Sequence, residues 1–283
     1  MKFFKGLISA ILLVLLLAST AVTLLAGAVR FLALNPAFLK TFLTTKPYCN
    51  AFRESMVDEL DTTAAQYGLD DAAFDACIQD DDVKSYTSAL IDALYAADGT
   101  TDVALPAFPM AHFEEYLRSN PAFETEQAVS DCLADCSAVI ADNTELTLVA
   151  NVLASLQASL PARYSILLFV GGLALTLLMV IFLSLVHVRS KRAGGVLVFG
   201  GLFLGTTVAF VPVWQFVLFG YVDRVAYGVS IFRTFLTSWL NTILYGAMFL
   251  LLGLLVLFGI LLLVAIIRAA KGKKKPRRAE NNA

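Results

Sequence analysis

The sequence predicts an all-α membrane protein: a four-helix transmembrane bundle with an extracytoplasmic α-helical domain inserted between the first and second spans. Three observations predict it. Four apolar runs lack any charged residue, the stretch between the first two carries nearly all of the acid, and no segment alternates with the period of two that a strand requires. The 58% hydrophobic content and mean hydropathy of +0.74 exceed what a water-soluble core of this size needs.

No Asp, Glu, Lys or Arg lies between Gly6 and Arg30, Arg163 and His187, Arg192 and Asp223, or Arg233 and Arg268. A helix rises about 1.5 Å per residue, so about 20 residues cross the roughly 30 Å hydrocarbon layer with every backbone group satisfied internally. Spans follow at 7–29, 164–188, 194–221 and 238–267. As domains, 1–34 is the first transmembrane helix, 35–163 the inserted domain, 164–189 the second span and 190–193 a cytoplasmic turn. The third span is 194–221, an outer interfacial segment is 222–237, the fourth span is 238–268, and a basic cytoplasmic tail is 269–283. The first run also fits a cleaved signal peptide, with small residues at Ala26, Gly27 and Ala28. Its apolar stretch exceeds a usual signal core, so a retained signal anchor is expected; cleavage would leave three spans and the same outward domain.

Orientation follows from Lys and Arg, which accumulate on the cytoplasmic side. Lys2 and Lys5 precede the first span, Arg189, Lys191 and Arg192 fill the turn between the second and third, and seven basic residues from Arg268 onward follow the fourth. All three groups fall on one side of a four-pass topology. Both termini are therefore expected in the cytoplasm of a plasma-membrane protein, with 35–163 outside.

Within the inserted domain, Asn35 caps a helix beginning at Pro36, and Pro47 starts another to about Gln66, where Gly68 follows. Phe52, Met56, Leu60 and Ala64 recur every fourth position there, a helical stripe. Short helices are expected over 70–79 and 111–118, a longer one from Asp80 with Val83, Tyr86, Leu90 and Leu94 on one face, and two more over 126–141 and 144–160. Asn-Pro-Ala-Phe occurs at 35–38 and 120–123 without alignable flanks, so it reads as a coincidence of helix starts rather than duplication. The stretch 223–239 places Val225, Val229, Phe232, Leu236 and Trp239 at helical spacing between Arg224 and Arg233, which suits a helix lying flat in the outer interface.

Segment 35–163 carries 21 Asp or Glu against 6 Lys or Arg. That charge excludes nucleic acid as its partner and favours cationic ones. Asp70, Asp71, Asp75 and Asp80 to Asp82 lack the alternate spacing and central glycine of a calcium loop, and helix capping accounts for them. His112, beside Glu114 and Glu115, and His187 are the only histidines and fall on opposite sides of the membrane. There is no phosphate loop, paired-histidine metal motif or serine elbow, so neither catalysis nor a cofactor or metal is expected.

All four cysteines lie in the inserted domain, which suits an oxidising compartment. Cys132 and Cys136 share one helix face about 5–6 Å apart, farther than the roughly 3.5–4.5 Å between Cβ atoms of a disulfide. Two bridges are therefore expected, joining Cys49 and Cys77 to Cys132 and Cys136. Free buried thiols are the alternative.

A charge at the centre of a span costs at least about 2.5–3.5 kcal/mol, and these spans hold none, which argues against an ion-coupled pump. Gly201 and Gly205 form a close-packing pair within the chain, and Gln215 and Asn241 are candidates for an interhelical hydrogen bond. In the tail, Lys271, Lys273, Lys274, Lys275, Arg277 and Arg278 fit anionic headgroups of membrane lipids and also fix topology.

The segments NPAFLKTFLTTKPYCNAFRESMVDEL and YGLDDAAFDACIQDDDVKSYTSALIDALY resemble uncharacterised four-pass membrane proteins of Gram-positive bacteria. The resemblance implies a bacterial envelope protein and no particular activity. The order of one span, an outer domain and three further spans is also similar to the permeases of mechanotransmitting ABC systems. Here the turn at 189–193 and the five residues before the first span leave little surface to grip an ATPase. The expected function is therefore a non-enzymatic adapter, sensor or accessory protein whose outer domain binds an extracytoplasmic protein or envelope component; a permease or transporter subunit is the alternative.

Overall fold

The computed structural model describes residues 2–69, 73, 77–96, 106–141, 151, 153–155, 162–225 and 230–271. In chain order the helices are α1 (Lys2–Ala28), which widens into a π turn at Val29–Ala33, α2 (Pro36–Leu43), α3 (Lys46–Gln66), α4 (Asp80–Ala96), α5 (Ala111–Ser119) and α6 (Glu126–Ala141). Then come α7 (Ala162–Val186), a 3₁₀ turn at Val188–Ser190, α8 (Lys191–Leu218), α9 (Tyr221–Val225) and α10 (Ser230–Lys271). No strand occurs among the described residues. The helices expected over 70–79 and 144–160 lie largely outside those residues.

The chain forms two compact units. One contains Met1–Arg30, Ala162–Phe219 and Leu244–Ala283, with 14 Lys or Arg against one acidic residue, Glu280. The other contains Phe31–Pro161 and Gly220–Ile243, with 7 Lys or Arg against 22 Asp or Glu. They are called the apolar and the acidic unit below.

Four helical stretches are long and apolar enough to cross a membrane: Phe3–Ala33, Tyr164–Val186, Lys191–Leu218 and Ile231–Lys271. In the apolar unit α1 is the hub, packing against both α7 and α8. Small residues permit the approach. A Cβ on Gly172 would come within 2.5 Å of the Thr23 hydroxyl, one on Gly201 within 2.7 Å of a Leu16 methyl, and one on Gly205 within 2.8 Å of the Leu17 carbonyl oxygen. Ser19, Thr20 and Thr23 are buried on this face of α1. Thr20 donates to the Leu16 carbonyl at 2.7 Å and Thr23 to that of Ser19 at 2.7 Å, so both hydroxyls satisfy themselves on their own helix. Thr176 of α7 adds an interhelical bond to Ser19 at 3.1 Å. The later turns of α10 are covered least, with Phe249, Val256, Ile260 and Leu263 all more than half exposed.

The acidic unit folds around large side chains. Asn35 accepts from the amides of Ala37 and Phe38 and so starts α2, with Pro36 in its first turn where a missing N–H costs nothing. In α3 the stripe Cys49, Phe52, Met56 and Leu60 is buried, and in α4 Val83, Tyr86, Leu90 and Leu94. Both meet Val129, Cys132, Cys136 and Ile140 of α6 in one core. Lys40–Asp92 ties α2 to α4, Arg53–Asp80 ties α3 to α4, and Arg118 bridges Glu114 and Glu126 between α5 and α6. Gly68 ends α3 with φ at +71°, the left-handed conformation that costs other residues energy. At the second Asn-Pro-Ala-Phe the Asn side chain again accepts, from the Ala122 amide at 3.0 Å, but Asn120 closes α5 and a turn follows.

The largest departure from the sequence reading is α10. Segment 222–237 is not merely an amphipathic strip for an interface: Ile231, Phe232, Phe235 and Trp239 are buried in the core of the acidic unit. The apolar stripe is real, but another core meets it. Periodicity alone cannot distinguish a lipid surface from a protein surface.

Candidate functional site

Where α10 enters the acidic core, a pocket of 230 Å³ opens. Tyr86 of α4, Ser137 and Ile140 of α6, and Phe232 of α10 line it, together with Pro106 and Phe108. Tyr86, Ile140 and Phe232 come from the buried stripes of their helices, so those walls are fixed by the same burial that folds the unit, while Ser137 is exposed. Tyr86 and Phe108 meet edge to face at 5.2 Å between ring centres, which sets one aromatic corner. The lining is apolar apart from the Ser137 and Tyr86 hydroxyls. Burial pushes the Tyr86 phenol up to about 12, leaving it a neutral hydrogen-bonding group at physiological pH. Such a pocket suits an aromatic or aliphatic group carrying one or two hydrogen-bonding atoms.

Polar contacts key α10 into place around this pocket. Thr234 and Ser55 of α3 share a hydrogen bond between their hydroxyls. One indole lies farther along: Trp239 donates from Nε1 to the Tyr95 hydroxyl at 3.4 Å, and Tyr95 donates in turn to the carbonyl of Ala33. Ala33 closes the π turn that follows α1. The segment leaving the first long helix and the segment entering the fourth are thus joined within the acidic unit through one tyrosine.

His112 is not paired with Glu114 or Glu115, as its sequence neighbours suggest. Its Nδ1 lies 2.7 Å from a carboxylate oxygen of buried Asp82, which ties the start of α4 to α5. Asp82 also accepts from the Gln79 amide at 3.4 Å, so it caps and pairs at once.

The expected disulfides are corrected. Cys49, Cys77, Cys132 and Cys136 are free thiols, all buried. They occupy core positions, where cysteine serves as a small apolar side chain. Cys77 neighbours Cys132 and Cys136, and the latter two hydrogen-bond one turn apart on α6. Cys49 lies elsewhere, near Arg53, Asp80 and Lys84. Burial raises all four thiols, Cys77 and Cys136 to about 12, so almost none is thiolate at neutral pH and none is a ready nucleophile.

Gly201 and Gly205 face α1 within the chain, as the close approaches above describe. Gln215 is exposed and belongs to the apolar unit, while Asn241 is half-buried in the acidic unit. Lys271 is the last residue of α10 and is exposed. The other tail positions, Lys273, Lys274, Lys275, Arg277 and Arg278, lie outside the described residues. Sequence reasoning missed the pocket and the Tyr95 junction because their parts come from distant segments; the sole hint was the aromatic density of 232–239.

Compared with protein-family models, curated proteins and solved structures, the chain matches none.

Proposed function

We propose that the chain is a four-pass protein of a bacterial plasma membrane with both termini in the cytoplasm, whose acidic unit faces outward, binds an envelope partner and hands its occupancy to the spans. It acts as an adapter or sensor rather than an enzyme. The observation that carries this reading is that Phe232, a wall of the pocket, belongs to the same continuous helix that supplies the fourth long apolar stretch. A ligand that presses on Phe232 acts directly on that helix. The distribution of Lys and Arg supports the orientation. The acid excess favours a partner whose contact surface is basic, with Glu54, Asp58 and Asp61 exposed on α3.

The test is cross-linking of the intact protein in its native membrane, followed by mass spectrometry, with Phe232→Ala alongside. Capture of an envelope protein through 35–163, weakened by Phe232→Ala, is the expected result. Capture of a nucleotide-hydrolysing subunit through the turn at 189–193 would overturn the reading in favour of a permease.

A further inference from the structure

A second, larger cavity lies wholly within the apolar unit. It is a groove of 830 Å³ between α7 and α8, closed at one side by Phe258 of α10. Its length is apolar, with Leu177, Val180, Ile181, Val198, Phe199 and Leu202 along it. Apart from Thr176, whose hydroxyl is bonded to Ser19, its polar side chains are concentrated at one end, where Ser184, His187 and Lys191 lie around the turn that joins α7 to α8. Two of these are already occupied. Ser184 donates to the carbonyl of Val180 at 2.8 Å. His187 is buried with Nδ1 3.1 Å from the carbonyl of Leu183, and since a carbonyl only accepts, that nitrogen carries the hydrogen. Lys191 is exposed at the mouth.

Among the described residues of its unit there is no acidic side chain to set against this end. Arg189, Lys191 and Arg192 crowd within four positions, and the sole acidic residue of the apolar unit is Glu280, more than 80 positions along the chain. Lys191 also begins a 28-residue helix whose N-cap, Ser190, makes no side-chain cap, so the positive end of the helix dipole adds to the basic charge. Two glycines line the groove, one closely packed and one with room beside it. Gly194 abuts His187, and a Cβ on Gly195 would meet only Ala265, at 4.0 Å. A long apolar channel on helices of membrane-crossing length, ending in a cluster of basic residues, is complementary to one kind of molecule.

We propose that this groove binds one anionic phospholipid, its phosphate at Lys191 and the first turn of α8 and an acyl chain along Val180, Val198 and Leu202. The site is separate from the pocket of the acidic unit and does not rest on the reading given to that unit. Lipid charge supplies what the protein sequence omits, and the cation sets selectivity while the groove holds the chain.

The experiment supplies the purified full-length protein in detergent with equal phosphatidylglycerol and phosphatidylcholine and counts retained lipid by native mass spectrometry. One phosphatidylglycerol per chain is expected to survive in preference to phosphatidylcholine. Lys191→Gln, at an exposed position that does not endanger folding, reduces that retention about fivefold, the factor a single basic residue contributes at an anionic surface. Lys191→Arg preserves it. Gly195→Leu, which fills the groove while leaving the charge, lowers retention as well. Replacement of Lys273, Lys274 and Lys275 by Gln does not, which separates the groove from the tail. Equal retention of the two lipids, wild-type retention in Lys191→Gln or in Gly195→Leu, or loss on changing the tail alone, would each overturn the proposal.

Discussion

The two units of this chain are both helical, yet opposite choices of side chain hold them together. In the apolar unit, glycines bring the later helices close to α1, Gly172 against Thr23, Gly205 against Leu17 and Thr20, and Gly201 against Leu13 and Leu16. In the acidic unit the interior is filled by Phe52, Met56, Leu60, Leu90 and Phe235, all essentially inaccessible. The difference is the one expected if the four long apolar helices cross a membrane and the acidic unit stands in water. Where the surroundings are as apolar as leucine, burying leucine gains little, and helices associate through close backbone approach and hydroxyl bonds. Where the surroundings are water, removing large apolar surface from it is the main driving force. Charge follows the same division, with 14 Lys or Arg to one acid in the first unit and 7 to 22 in the second.

Substitutions can break that contrast, and the largest effect is expected in the acidic core. Phe52→Ala removes a fully buried ring and should cost about 3–5 kcal/mol, read as a lowered thermal midpoint of the circular dichroism signal. Alkali attacks the same core by a different route. Burial raises Cys77 and Cys136 from 9.0 to about 12 and Tyr86 from 10.0 to about 12, so the folded unit keeps protons that the unfolded chain releases. Their contribution to stability is therefore complete below pH 9 and is lost as the pH climbs towards 12. A thermal midpoint that stays constant from pH 8 to about 12 would refute this account.

In the apolar unit the sensitivity should reverse, with gain of bulk doing the harm. Gly205→Ala drives a methyl against the Leu17 carbonyl, which is backbone and cannot swing aside, at a cost of about 1–3 kcal/mol. Gly253→Ala has nothing within 4 Å of the new atom and should be neutral or slightly stabilising. Equal behaviour of these two variants in detergent unfolding would remove the packing distinction. A smaller loss, about 1 kcal/mol, is expected for Tyr95→Phe, which deprives Ala33 of a donor and Trp239 of an acceptor. Its marker is a shifted Trp239 emission, measured in a Trp214→Phe background.

How much of this was legible in the residues depends on how local each feature is. The four long apolar helices, the Asn35 cap and the stripes of α3 and α4 follow from signals within a few turns of sequence, and the structure has them. Ala64 of the α3 stripe falls where side chains are not described. Features assembled from afar were not legible. His112 has two acidic sequence neighbours, but the carboxylate it meets is Asp82, thirty positions earlier. The cysteine positions fit an oxidised, bridged domain as well as a core of small side chains, and only tertiary packing chooses the second. For α10, Arg233 interrupts the apolar run and makes the first turns look like a surface helix; it is itself exposed, while Phe232 and Phe235 on either side of it turn inward.

The hydroxyl face of α1 bears on how the protein is made. This helix leaves the ribosome before either helix that will cover it, so its hydroxyls spend a time without the neighbours that later enclose them. Thr20 and Thr23 remain satisfied in that interval because each is bonded to a carbonyl of its own helix. The same face later receives Gly172 and Gly205. Without this hub, α7 and α8 would be left with a seam to fill.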